Sequence, residues 1–221
     1  MPEFKIVISD PEAKADQPVL KVKVKGDEEI EYGEEEKSQR RLPTCKANPK
    51  LLEKLNAVHG IITVRIRKEE KKIKHTCKAI ADEQVGEDEV RVSLEWLGDA
   101  AGVEEAEGEV FRAKAWQITV TSPAADQLVG LRIGDRFDGA IVGLPGYQLE
   151  IRGGSDNSGF PMLPSIPGPV KKRVLLSGPP GFHPREKGER RRKTVRGNTV
   201  SHDTVQINTV IVYPKRRKKE Q

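Results

Sequence analysis

The chain has 221 residues, 35% hydrophobic and 33% charged, with a formal net charge of +5. No run of about 18 apolar residues occurs, which argues against a membrane-spanning helix, and the start, MPEFKIVISD, lacks the apolar stretch of a signal peptide. Cys45 and Cys77 are too few for a disulfide framework, so the chain reads as soluble and suited to a reducing, cytoplasmic-type compartment.

Charge divides the chain into two halves. Residues 1–115 carry 21 Lys and Arg against 25 Asp and Glu, net −4, and residues 116–221 carry 18 against 9, net +9. Within the acidic half, Phe4 to Ser9 is strand-like, and the alternation of Leu20, Val22 and Val24 with lysines predicts a half-buried strand. Residues 26–41 are almost all charged and read as a loop or arm. Asn48-Pro49 opens a helix with Leu51, Leu52, Leu55 and Val58 on one face, ending at Gly60. Strands are expected over 61–68, 71–80 and 88–97, with the acidic stretch 101–109 as turn or linker. The pattern is that of a small α+β subdomain.

The basic half reads as all-β. Strands are expected over 115–122, 147–154, 171–178, 192–200 and 204–213, with a short helical or turn segment after the first. Gly- and Pro-rich turns separate them, among them RGGSDNSGFPMLPSIPGP and SGPPGFHP. Short strands with such loops predict a small barrel or curled sheet.

Catalytic and metal motifs fail on spacing. SGPPG at 177–181 is not followed by the Gly-Lys-Ser/Thr of a phosphate-binding loop. Cys45, His59, His75 and Cys77 match no zinc spacing and read as a core cysteine and satisfied surface histidines. No local nucleophile or carboxylate constellation stands out, so a non-enzyme is expected, with no cofactor, metal or small-molecule substrate.

The basic segment is informative. From Lys171 onward there are 15 basic and 4 acidic residues, a density that self-repels unless a polyanion supplies counter-charge. The expected contact set is Lys171, Lys172, Arg173, Arg185, Lys187, Arg190, Arg191, Arg192, Lys193 and Arg196. Arginine forks and lysine point charges suit phosphate oxygens. The basic C-terminal tail, 214–221, reads equally as a solvated tail. Base-stacking candidates are few (Phe160, Phe182 and Tyr147), which favours readout of backbone and shape in folded RNA over single strands.

Two stretches carry a family resemblance. IRGGSDNSGFPM (151–162) resembles the signature of the archaeal and eukaryotic small-subunit ribosomal protein six family, through Gly153, Gly154, Asp156, Gly159, Pro161 and Met162. RVLLSGPPGFHPREKGERRRKTVRGNTV (173–200) resembles the family's basic segment, and 133–147 and 4–11 are also similar to it. The resemblance implies a structural constituent of the small ribosomal subunit, in the cytoplasm, binding ribosomal RNA beside neighbouring ribosomal proteins, with no membrane partner. A free-standing RNA-binding factor in ribosome assembly or translation control is the competing reading. If ~6–10 phosphates are engaged, affinity falls ~10³–10⁵-fold between 50 and 200 mM salt by the duplex-DNA benchmark. The signature loop itself is expected to be rigid, with Asp156 bonding amides in the turn and Pro161 stiffening its exit.

The chain departs from the family pattern in the middle. Ala13-Lys14-Ala15 recurs as Ala113-Lys114-Ala115, so residues 16–112 read as an insertion at a hairpin tip, where a sheet tolerates it best. The ribosomal domain then comprises 1–15 and 113–213. The insertion has the character of an added RNA or protein contact module. The chain stops at Gln221, before the long basic helix of the eukaryotic branch, and so resembles the archaeal type.

Overall fold

Period-2 alternation sets most of the regular elements, and the computed structural model is accordingly mainly β; it describes residues 2–13, 17–68 and 71–213, without the side chains of Lys68 and Lys71. The basic tail 214–221 and the first repeat's Lys14 and Ala15 lie outside the described residues. Two compact units result, Met1–Ser9 with Gln117–Gln221, and Asp10–Trp116.

In chain order, β1 (Glu3–Ser9) precedes the second unit. There follow β2 (Leu20–Asp27), the short helix α1 (Glu34–Lys37), β3 (Thr44–Ala47), α2 (Pro49–Lys54), β4 (Ile61–Lys68), β5 (Lys71–Ala81), β6 (Glu89–Ser93), α3 (Leu94–Ala101) and β7 (Glu105–Arg112). Then come β8 (Ala115–Thr121), β9 (Arg136–Asp138), β10 (Gln148–Asp156), β11 (Lys171–Leu176), β12 (Arg191–Arg196) and β13 (Thr204–Val212).

Six strands of the Asp10–Trp116 unit close into a barrel in the order β2-β6-β3-β5-β4-β7. Alternate residues fill it: Val22 and Val24, Val90 and Val92, Cys45 and Ala47, Cys77, Val64 and Ile66, and Val110 are all buried. Closure removes the exposed sheet edges that invite aggregation. The closed barrel thus lies in the acidic half. The basic half carries a curled five-stranded sheet, ordered β8-β1-β13-β10-β9, and a separate β11-β12 ribbon. In that sheet β1 runs parallel to β13, and β10 antiparallel to it. Phe4, Ile6 and Ile8 alternate into the core with Leu149, Ile151, Ile207 and Ile211.

Several local expectations are corrected. The strand expected over 88–97 ends at Ser93, and α3 follows, because Trp96, Leu97 and Ala101 are buried together. A strand would send Trp96 and Leu97 to opposite faces. The stretch 101–109 is largely β7, not a linker: Glu105, Glu107 and Glu109 pair outward, and Gly108 and Val110 lie opposite Val22 and Leu20. Helix α2 stops at Lys54, two residues before Asn56 adopts φ 51°, so Val58 stays exposed. The charged stretch 26–41 is folded, with Ile30 buried and Lys37 of α1 bonded to Glu95 of α3 at 2.6 Å.

Candidate nucleic-acid interface

The β11-β12 ribbon displays the basic segment. Its register places Lys171 opposite Arg196, Lys172 opposite Val195, Arg173 opposite Thr194, Val174 opposite Lys193, Leu175 opposite Arg192 and Leu176 opposite Arg191. The cations of β12 therefore face apolar residues of β11, and Lys172 and Arg173 face Val195 and Thr194. Like charges directly opposite one another would destabilise a two-stranded ribbon. That arrangement occurs once, at Lys171 and Arg196, and a carboxylate sits there.

That carboxylate is Asp156. Its Oδ2 lies 3.1 Å from Lys171 Nζ and 3.9 Å from Arg196 Nη1. Its Oδ1 accepts hydrogen bonds from the Ser158 and Phe160 amides at 3.0 and 2.8 Å. Burial works against the charged form, but the Phe160 amide, Lys171 and the Ser158 amide outweigh it and hold the Asp156 pKa below its ordinary value. Arg196 is itself buried and donates to Ser201 Oγ and Asp203 at 2.7 and 2.9 Å.

The signature residues assemble this base. Gly159 has φ 78° and its amide bonds the Asp156 carbonyl, closing the turn. The Pro161 carbonyl accepts from the Arg196 amide at 2.9 Å, and the buried Met162 bonds back to the Gly154 carbonyl at 2.9 Å. A Cβ at Gly154 would drive into the Gln206 carbonyl of β13, whereas Gly153 faces open space. The loop thus ties β10 and β13 to the root of the ribbon.

The predicted contact residues therefore sort by position. Lys172, Arg173, Arg185, Lys187, Arg190, Arg192 and Lys193 are exposed and form no ion pair among the described residues. Arg191 is exposed but pairs with Glu189 at 2.9 Å, and Glu189 also accepts the Arg185 amide at 2.7 Å. Arg196 departs from the expectation, because its guanidinium is consumed inside the fold. Lys171 is half-exposed and lies 5.7 Å from the Phe160 ring centroid, bonded also to Ser158 Oγ. Alternation puts Lys172, Arg191 and Lys193 on one face of the ribbon and Arg173 and Arg192 on the other.

The stacking candidates are occupied elsewhere. Phe182 is buried, Phe160 lies by Lys171, and Tyr147 meets Tyr213 edge-on at 6.0 Å. Sequence reasoning missed Asp203, Ser201 and Glu189, which hold the arginines. The signal was present only in part: Glu189 is adjacent to the basic run, but nothing local ties Asp203 to it. The side chains of His59 and His75 are buried rather than at the surface. His59 bonds Asp10 at 3.0 Å, and His75 stacks on Trp96 at 3.9 Å. Among the described residues no group of three or more metal-ligating side chains is gathered.

The basic ribbon and its glycine-rich root loop both lie in a segment with known relatives. A model of the ribosomal protein S6e family matches residues 109–220. Small ribosomal subunit protein eS6 of Hyperthermus butylicus is 83% identical over 216 residues, covering 98% of this chain and all of the relative. The chain belongs to the ribosomal protein S6e family. Proteins of the same name from Staphylothermus marinus and Aeropyrum pernix are 59% and 46% identical, each over 96% of this chain and over 100% and 96% of the relative. The S6e match begins at 109 and leaves most of the barrel outside, yet these whole-length alignments span it. The barrel unit is therefore shared with archaeal relatives and not private to this chain. Membership of this family makes the chain a structural, non-enzymatic protein.

Proposed function

We propose that this protein is a structural constituent of the cytoplasmic small ribosomal subunit that holds folded ribosomal RNA through the β11-β12 ribbon, beside neighbouring ribosomal proteins. One observation carries the reading: exposed cations without carboxylate partners among the described residues stand on both faces of a narrow two-stranded element. Such an element suits a crevice between two phosphate backbones, where each face meets its own strand. It recognises charge and shape, since neither of its strands carries an aromatic residue to stack on a base. Lys171 and Arg196 act in this reading as the ribbon's root, and Lys172, Arg173, Arg185, Lys187, Arg190, Arg191, Arg192 and Lys193 as the contact set.

Residues 16–112 are proposed as an insertion into the β1–β8 connection that adds a contact module. Support comes from the pairing of β1 with β8 in the sheet, which places the two ends of the barrel unit on adjacent strands. Excision of 16–112 is expected to leave the sheet unit folded and to weaken subunit assembly. Normal assembly of the excised chain would remove the contact role.

The deciding test is sedimentation of native lysate on sucrose gradients at low and moderately high salt. Stoichiometric retention in the small-subunit peak at both salts is the expected result. Release at moderate salt, or residence only in free or precursor fractions, would overturn it in favour of a free-standing RNA-binding factor.

A further inference from the structure

Cys45 and Cys77 are the only cysteines of the chain, and the barrel brings them together. Cys45 on β3 lies opposite Ala79 in the parallel ladder with β5, so Cys77, two residues earlier, shares its face. Both side chains are fully buried in the barrel core, near Ile62, Val64 and Val90. Their Sγ atoms stand 2.8 Å apart. Unbonded sulfurs prefer a wider separation, and a covalent S–S bond is only ~2.05 Å long. With two cysteines in the chain only one intramolecular pairing exists, so no reshuffling competes with it.

We propose that Cys45 and Cys77 form a disulfide that cross-links β3 to β5 inside the barrel. The inference is independent of the ribosomal role. It amends the reading of these residues as plain core thiols, since a single covalent staple needs no disulfide framework. The oxidant is a disulfide carrier, small or protein-borne. One cysteine thiolate attacks the carrier disulfide, forms a mixed disulfide and releases one carrier thiolate. The second cysteine thiolate then attacks the protein sulfur of that mixed bond and expels the other carrier thiolate. The two protein thiols lose two protons and two electrons, and the carrier disulfide leaves as two thiols.

The exchange belongs to folding, before the barrel closes. In the closed barrel neither sulfur is reachable. Burial, and after it the hydrogen bond and charge of Cys77, push the Cys45 thiol well above its ordinary pKa, so the reactive thiolate is scarce. The same burial shields the finished bond from cellular reductants.

The test starts from cells that naturally make the protein, lysed directly into acid and then alkylated in denaturant. Peptide mass spectrometry is expected to find neither cysteine alkylated until a reductant is added, with the two peptides linked. Alkylation of both cysteines in most molecules without reduction would overturn the proposal. A second measurement compares the full-length protein refolded with and without reductant. Because the bridged residues are 32 apart in sequence, the oxidised barrel is expected to melt more than ~10 °C higher by tryptophan fluorescence. Equal melting of the two forms would remove the cross-link from the barrel's stability.

Discussion

Asp10 and Arg112, 102 residues apart in the chain, form an ion pair at 2.7 Å with both side chains almost fully withdrawn from water. Asp10 follows β1 directly, and Arg112 ends β7 shortly before β8. The pair therefore joins the segments that enter and leave the barrel unit. Asp10 also receives His59 at 3.0 Å and bonds the Lys114 carbonyl through its own amide, while Arg112 donates to the Asn56 carbonyl at 2.9 Å. Removing one member takes the main opposite charge away from a group that stays buried. Arg112→Ala is expected to cost ~3–5 kcal/mol, and Arg112→Lys less, since it keeps the charge but loses the fork. Trp96 lies on α3 of this unit and Trp116 at its last position, on β8, so urea unfolding followed by their fluorescence reads the barrel and its exit. A loss under ~1 kcal/mol for Arg112→Ala would show that the pair does not hold the unit.

The two adjacent signature glycines are expected to behave differently. Gly153 follows a register irregularity in β10 and has open space where a Cβ would stand. Gly154 is pressed against the Gln206 carbonyl of β13, a backbone atom that cannot swing aside. Gly153→Ala should fall within ~0.5 kcal/mol of the parent, and Gly154→Ala should cost ~2 kcal/mol or more. Calorimetric melting of the two variants checks the contrast, and equal costs would refute it.

These two cases mark what the sequence made legible. Alternation located β1, β2, β4, β5, β8, β10 and β13 to within a few residues, because each shows one apolar face to a core, and Gly- and Pro-rich turns bounded β11 and β12, which bury little. It missed β7, whose inward residues are as small as Ala106 and Gly108, so the glutamates dominated the reading. It missed α3, where three buried residues had to be weighed at helical instead of strand spacing. Barrel closure was out of reach, since it depends on the parallel β2–β6 and β3–β5 pairings, which join segments dozens of residues apart. At the basic site the exposed cations could be named from the sequence. The inward turn of Arg196 could not, because Asp156 and Asp203 reach it only through the fold.

His75 gives the barrel a predictable pH dependence. Burial lowers its pKa from 6.5 to about 4, and its ring stacks on Trp96 with Tyr32 nearby. The folded state keeps it neutral, whereas the unfolded chain takes up a proton below pH 6.5. The stability linked to His75 is thus fully present above about pH 6.5 and is lost as pH falls towards about 4. The loss across that window is ~3 kcal/mol. His75→Phe keeps a ring against Trp96 and is expected to flatten this part of the profile. Urea midpoints at pH 7, 5.5 and 4 measure it, and an equally steep fall in the variant would assign the slope to other groups.

The ribbon makes a prediction that separates contact from support. Arg190, Arg192 and Lys193 are exposed without ion-pair partners among the described residues, whereas Arg196 is buried against Asp203 and Ser201. If the first three neutralise phosphates, replacing all three with Gln should make log K against log salt shallower by about 3 for small-subunit ribosomal RNA, taking ~0.9 per contact from duplex DNA. Folding should be unchanged, because these side chains hold nothing in place. Arg196→Gln should do the reverse. It leaves Asp156 and Asp203 without a buried partner, so melting should fall while the salt slope of the remaining folded protein holds. The two variants fail in different measurements because the register alone decides which cations face water. A triple variant with an unchanged slope would mean that the RNA is held by another surface.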